Sequence, residues 1–289
     1  MDAAIFLEVQ EVSSYDLLKV HMKTIKMTEK VMGQIAFFLI LGMNFLGEVA
    51  CTSSNGSLSE SRPILTLGLS ADYPPFEFKQ DGKIVGFDVD LAQEVARRLG
   101  YDLSIQDMDF SVLIPSIQNG RIDFAMSGMT ITEIRKKNVD FSDVYFKSGF
   151  ALILKKESQF SKEEDFKGKK IGVQLGTTME KFAQLKAQIY PDLKVVALGK
   201  NSILIQELKS ERLFGVLVEE SQATEFVKAN SSLKSFVLGS RGDGYAIVFP
   251  KDPVVGRVEF LKEKFNAELK NLRKNGKMRE LRLKWLGKK

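Results

Sequence analysis

The chain has 289 residues, 44% hydrophobic and 27% charged, an ordinary globular composition with room for one large or two medium domains. Its formal charge of +5 is spread without a long basic block, which argues against a dedicated nucleic-acid binder. One cysteine, Cys51, and one histidine, His21, both lie near the N-terminus, so the folded part has no disulfide, no Cys/His metal site and no His-activated nucleophile.

Residues 1–21 show no clear period. From Met22 the pattern changes: Lys23, Lys26 and Lys30 precede an apolar run, Val31 to Leu46, broken by Gln34 and Asn44. That run is shorter than the roughly 20 residues of a comfortable membrane span and reads as the core of a secretory signal peptide. Residues 1–50 are therefore expected to be an N-terminal extension and signal peptide, with translation starting at Met22 or Met27. Cys51 follows Val49-Ala50 as in a bacterial lipobox, although Glu48 stands where that motif prefers Leu. Either Cys51 is lipidated as the mature N-terminus, or cleavage near Ala50 leaves a free thiol. Residues 51–61 are rich in Ser, Gly and Asn and read as a flexible linker.

The folded region opens near Pro63 with a buried-type strand, Ile64 to Leu69, ending in Ser70-Ala71-Asp72-Tyr73. Pro74-Pro75 fixes an extended turn that sets Tyr73 and Phe76 at the strand tip. After a turn at Gln80-Asp81-Gly82 and a short extended piece, Ile84 to Phe87, Asp88 is read as the cap of a helix. Leu91, Val95 and Leu99 form the buried face of that helix, and Gly100 stops it. Then come a strand at Leu103 to Gln106, a short helix at Val112 to Gln118 and a strand at Ile122 to Met126. This last strand breaks into Ser127, Gly128, Thr130 and Thr132. A helical turn carrying Arg135 follows, then an extended piece from Val139 to Tyr145. Past a strand at Phe150 to Lys155 the pattern begins again. A strand at Lys170 to Gln174 leads through a Gly176-Thr177-Thr178 turn to a helix ending at Ile189. A strand at Leu193 to Leu198 precedes a helix at Ser202 to Ser210. A strand at Phe214 to Val218 ends in Glu219-Glu220, and a helix covers Gln222 to Ala229. The chain closes with a strand, Tyr245 to Phe249, and helices around Val254 to Arg273 and Lys277 to Trp285.

Strand–helix alternation, run twice, predicts two α/β lobes with mostly parallel sheets. Ligands of such sheets sit at the carboxyl ends of strands. The residues at those ends are Ser70 to Tyr73, Phe110, Ser127 to Thr130, Thr177-Thr178 and Glu219. Facing lobes bring all of them to one cleft. Their chemistry suits an α-amino acid. Arg135, Thr130 and the Thr178 N–H would take the carboxylate, Glu219 the ammonium, and Tyr73 with Phe110 would sandwich the side chain. Each residue also has a plainer role open to it: Glu219 as a solvated strand end, Phe110 as core, Thr178 as a helix cap.

Six segments together resemble bacterial extracellular solute-binding proteins of the polar amino acid family, components of ABC importers, and look closest to the arginine-binding branch. They are YPPFEF (73–78), GFDVDLAQEVARRLG (86–100), FSVLIPSIQNGRIDFAMSGMTIT (110–132) with Arg135, FSDVY (141–145), KGKKIGVQLGTT (167–178) and GKMRELRLKWLG (276–287). The resemblance implies an α/β, two-lobed periplasmic-binding-protein fold of type II, with two crossing strands as hinge. Residues 62–149 and 245–289 would form lobe 1, and residues 150–244 lobe 2. It places Ser127, Gly128, Thr130, Arg135 and Thr178 on the ligand's backbone end, Glu219 where most members have Asp, and Tyr73 and Phe110 at the stacking aromatics. Ser70 departs from the pattern, since binders of basic amino acids often carry Asp or Glu there; Asp72 and Glu77 lie nearby as substitutes. The implied ligands are arginine, then lysine or ornithine, then glutamine. The implied partner is an ABC permease, with no cofactor, no metal and no nucleic acid, for a monomer in the periplasm or cell envelope, anchored if Cys51 is lipidated. Cyclohexadienyl dehydratases look similar and use cleft carboxylates as acid and base, a role open to Glu219 or Glu77.

Overall fold

The computed structural model describes residues 62–241, 244–251 and 260–287. The expected signal peptide and linker, with Cys51, lie outside these residues. The described chain forms two five-stranded sheets and one small three-stranded sheet.

The first sheet is built from β1 (Ile64–Leu69), β5 (Asp102–Asp107), β6 (Phe124–Ala125), β7 (Val139–Phe141) and β13 (Val248–Pro250), in the order β5-β1-β6-β13-β7. β1 runs parallel to β5 and β6, and β13 runs antiparallel to β6 and β7. The small sheet, β2 (Asp72–Tyr73), β3 (Glu77–Gln80) and β4 (Lys83–Val85), leads into α1 (Phe87–Arg98). A 3-10 turn, Phe110–Val112, precedes α2 (Leu113–Gln118), and α3 (Glu133–Lys136) follows the break after β6.

The second sheet has the order β10-β9-β11-β8-β12. Its strands are β8 (Gly149–Lys155), β9 (Lys170–Gln174), β10 (Lys194–Leu198), β11 (Gly215–Glu219) and β12 (Leu233–Arg241). β9 is parallel to β10 and β11, while β8 is antiparallel to β11 and β12. Helices α4 (Thr178–Ile189), α5 (Asn201–Lys209) and α6 (Glu220–Ala229) alternate with these strands. The chain then returns through β13 to α7 (Leu261–Lys274) and α8 (Lys277–Leu286).

Each sheet is covered on both faces. One face of the first sheet buries Leu91 and Val95 of α1 with Phe265, Leu269 and Leu281 of the closing helices, and the other buries Leu113 and Ile117 of α2. The second sheet likewise separates two apolar clusters, one around Leu152 and Val173 and one around Ile153 and Leu204. Burying such a side chain fully is worth roughly 1.5–3 kcal/mol, so each sheet has its own core.

Two segments join the sheets, Ser142 to Ser148 on the way out and the stretch from Gly244 on the way back. They are paired to each other: Tyr145 N donates to Tyr245 O at 2.9 Å, and Tyr245 N donates to Phe146 O at 2.8 Å. Tyr245 also bridges to Thr130.

Three expectations are corrected. A strand at Ile122 to Met126 shrinks to Phe124–Ala125, because the chain leaves the ladder there to form the Ser127–Thr130 loop. The cap of α1 is Gly86, at φ 137°, where an added Cβ would come within 2.0 Å of the Phe76 carbonyl oxygen. Asp88 sits inside the first turn and points into the protein. Finally, β12 occupies a stretch in which no strand was expected.

Candidate functional site

A narrow cavity of about 10 Å³ lies where strand ends of the two sheets meet. That is room for about one water molecule, so the lining residues stand close together. Nine of the ten expected site residues line it: Ser70, Tyr73, Phe110, Ser127, Gly128, Thr130, Arg135, Thr178 and Glu219. Of the three further lining residues, Thr177 is expected at the cleft beside Thr178, while Gln174 and Met179 are not singled out by the sequence. Gln174 ends β9, and an uncharged amide at a strand end carries little signal in a sequence. Asp72 is not in the lining.

The floor comes from the break after β6. Gly128 has φ +55°, and an added Cβ would lie 2.8 Å from the Tyr73 ring, so glycine is required there on both conformational and steric grounds. Its N–H donates to Asp88 Oδ2 at 3.1 Å. Ser127 Oγ donates to Glu77 Oε1 at 2.6 Å and accepts from Ser70 N at 3.1 Å. Glu77 therefore stands behind Ser127, 0% exposed, and supports the floor without reaching the cavity. Burial, then the Asp88 charge, pushes the Glu77 carboxyl well above the usual range. Asp88 is pushed up to about 6 by burial, with Tyr145 and the Gly128 N–H pulling the other way.

Arg135 is carried on the single turn α3, which Thr132 caps by accepting from the Arg135 N–H at 3.2 Å. Its guanidinium donates to Thr130 O at 2.7 Å and, across to the second sheet, to Gly176 O at 2.9 Å. It lies 5.4 Å from the Phe110 ring centroid. Burial lowers it to about 10, so it remains a cation at neutral pH.

On the opposite side Thr177 caps α4, accepting from Glu180 N at 3.2 Å. This leaves the Thr178 N–H, one of the orphan donors at a helix start, close to the cavity with its side chain uncommitted to the cap. Glu219 ends β11 and is 3% exposed. It accepts a hydrogen bond from the Tyr245 hydroxyl, and Tyr245 and Tyr73 share a further bond at 2.9 Å. Burial raises the Glu219 carboxyl to about 8, although the Tyr245 and Ser148 hydroxyls and the Arg135 charge favour ionisation. Without an added cation, Glu219 is mostly neutral at pH 7.

Asp72 and Lys200 join the two sheets beside the cavity. Asp72 Oδ2 accepts from Asn201 N at 2.5 Å, at the start of α5, and Asp72 Oδ1 accepts from Ser70 Oγ at 3.2 Å. Lys200 Nζ is 3.3 Å from Asp109, 3.4 Å from Asp107 and 3.5 Å from Ser70 Oγ. Chemically, the cavity presents a fixed guanidinium on one wall, a dry carboxyl on another and hydroxyls between them. Among the described residues no group of His, Cys, Asp and Glu is placed to hold a metal ion, and no helix is long and apolar enough to cross a membrane.

The family model of bacterial extracellular solute-binding proteins, family 3, matches residues 65–288. The arginine-binding extracellular protein ArtP of Bacillus subtilis (strain 168) is 39% identical over 241 residues, which cover 82% of this chain and 91% of ArtP. An ancestral arginine-binding protein solved with arginine bound superposes with a TM-score of 0.73 at 41% identity, covering 78% of this chain and 99% of the other. The same protein solved with glutamine bound gives the same values.

Proposed function

Because the chain belongs to the bacterial extracellular solute-binding proteins, family 3, we propose that it captures a free α-amino acid outside the cytoplasm and delivers it to an ABC-type importer. The observation that carries this reading is that Arg135 and the buried Glu219 line one small cavity together. In such a place each charge-assisted hydrogen bond is worth roughly 1.5–3 kcal/mol. The ligand carboxylate sits between Arg135, Thr130 and the Thr178 N–H, and the ammonium faces Glu219. Tyr73 and Phe110, which both line the cavity, flank the side chain.

Arginine is the first candidate, in line with the binding named for the relatives. The distal wall ranks the others. Glu219 is the sole carboxylate in the lining, and Ser70 has Lys200 beside it. Lys200 is itself paired with Asp107 and Asp109, so carboxylates stand behind that wall for a distal cation. A planar guanidinium or amide can hydrogen-bond to Gln174 and Ser70 and stack between the rings. Lysine and ornithine therefore follow arginine, with glutamine, which carries no distal charge, after them. Mass spectrometry of small molecules released by denaturing the purified protein, followed by calorimetry with the standard amino acids, tests this; no binding to any of them would sink the proposal.

The activity is binding without turnover. A dehydratase of this fold needs a cleft acid and base, and with Glu77 withdrawn behind Ser127 only Glu219 remains. Turnover of prephenate or arogenate would reverse this reading. The protein acts as a monomer, and lipidation of Cys51 would hold it at the cell envelope; mass spectrometry of its mature N-terminus tests the anchor.

A further inference from the structure

A second recess borders the outgoing crossing segment and shares no lining residue with the amino-acid cavity. Four of its lining residues are cations, Lys147, Arg273, Arg279 and Arg282, and no carboxylate lines it. Arg273 of α7 donates to Val144 O at 2.5 Å. Arg282 of α8 donates to Tyr145 O at 3.2 Å, with its guanidinium 5.3 Å from the Phe146 ring centroid. Arg279 stands three residues before Arg282, on the same side of α8. Among the described residues neither Arg279 nor Lys147 makes an ion pair or a side-chain hydrogen bond. Burial, then the nearby Arg273 charge, disfavours the charged form of Arg282. Arg279 and Arg282 also line an adjoining groove, whose one carboxylate, Glu225, pairs with Lys228 at 3.8 Å.

Cations gathered without a counter-charge repel each other, and a multivalent oxyanion relieves that repulsion. Planar guanidinium forks match the oxygen spacing of a phosphate group, and the lysine adds a point charge. We propose that this recess is a binding site for a phosphate-class oxyanion, held by Arg279, Arg282, Arg273 and Lys147 against the crossing segment. The bound anion links the two closing helices to the strand that joins the lobes. Its source is either free phosphate or the headgroup of an anionic lipid.

Calorimetric titration of the purified protein with inorganic phosphate, at constant ionic strength set by chloride, tests the site. A parallel arm measures cosedimentation with vesicles of phosphatidylglycerol in phosphatidylcholine against phosphatidylcholine alone. The expected result is saturable phosphate binding that Arg279→Ala weakens at least about tenfold, the loss of one charge-assisted hydrogen bond, with amino-acid binding and Tm unchanged. Vesicle binding without phosphate binding, lost in the same variant, identifies the headgroup as the source. Absence of both, or binding indifferent to Arg279→Ala and to Lys147→Ala, overturns the proposal.

Discussion

Glu77 and Asp88 are buried together where solvent reaches neither, and the Asp88 charge adds to burial in favouring the neutral Glu77 carboxyl. As two carboxylates they would leave Glu77 Oε2 and Asp88 Oδ1 buried and unpartnered, and one proton shared between them would satisfy both. The pair supports Ser127 and Gly128 from behind and accepts from the Tyr145 hydroxyl at 2.6 Å, so it ties the cavity floor to the crossing segment. Glu77→Gln keeps a donor toward Asp88 and should cost less than about 1 kcal/mol. Glu77→Ala leaves Ser127 and Asp88 without partners and should cost roughly 2–4 kcal/mol, adding the lost bonds to the cavity. Urea unfolding of both variants checks the difference, and equal losses would contradict the shared proton.

Arg135→Ala should abolish amino-acid binding while leaving the far-UV circular dichroism spectrum unchanged, since α3 is a single turn that buries no residue. Arg135→Lys should still lose at least about tenfold, because a point charge cannot serve a carboxylate and the Gly176 carbonyl together as a fork does. Calorimetry on the two variants separates loss of charge from loss of geometry.

Proton uptake and release follow from Glu219, which is held up to about 8. A ligand ammonium favours its ionised form, so binding near pH 7 should release a proton, and affinity should rise between about pH 6 and about pH 8. Calorimetry in buffers of different ionisation enthalpy reads the release directly, and Glu219→Gln should remove it. The same group, with Asp88 at about 6, binds more protons folded than unfolded. Unliganded stability should therefore fall as pH rises from about 4 through about 8.

Asp72 holds the start of α5 from the other lobe. Asp72→Ala removes that acceptor, worth roughly 0.5–2 kcal/mol for a helix start, and should favour the open arrangement. Small-angle X-ray scattering should show a larger radius of gyration without ligand, and amino-acid affinity should drop by up to about tenfold. An unchanged radius would mean that Asp72 has no part in closure.

Much of the site was legible because its residues stand where apolar runs stop. Ser70, Ser127, Thr130 and Glu219 each follow a strand, and Arg135 follows a cap. What escaped depends on long-range packing. Asp88 reads in sequence as a helix cap and Glu77 as an acid of the cleft, and only the tertiary fold turns both inward. Thr177 and Thr178 are neighbours of one chemical type, and backbone geometry decides which one caps. β12 is an edge strand, paired on one side to β8, so half its residues face solvent and its apolar pattern is broken. Gln174 and Met179 have no charge or spacing to mark them.

β13 lies between β6 and β7 in space yet reaches the sheet only after the whole of the second sheet has been made. Until it arrives, β6 and β7 have no partner between them, and α1 lacks the closing helices it packs against. The first lobe thus begins earliest and finishes last, through contacts of high sequence separation that slow folding. A nascent chain of this design stays unfinished through most of its synthesis, a state suited to threading across a membrane, and a copy cut short before Val248 would present two unpaired strand edges prone to aggregate.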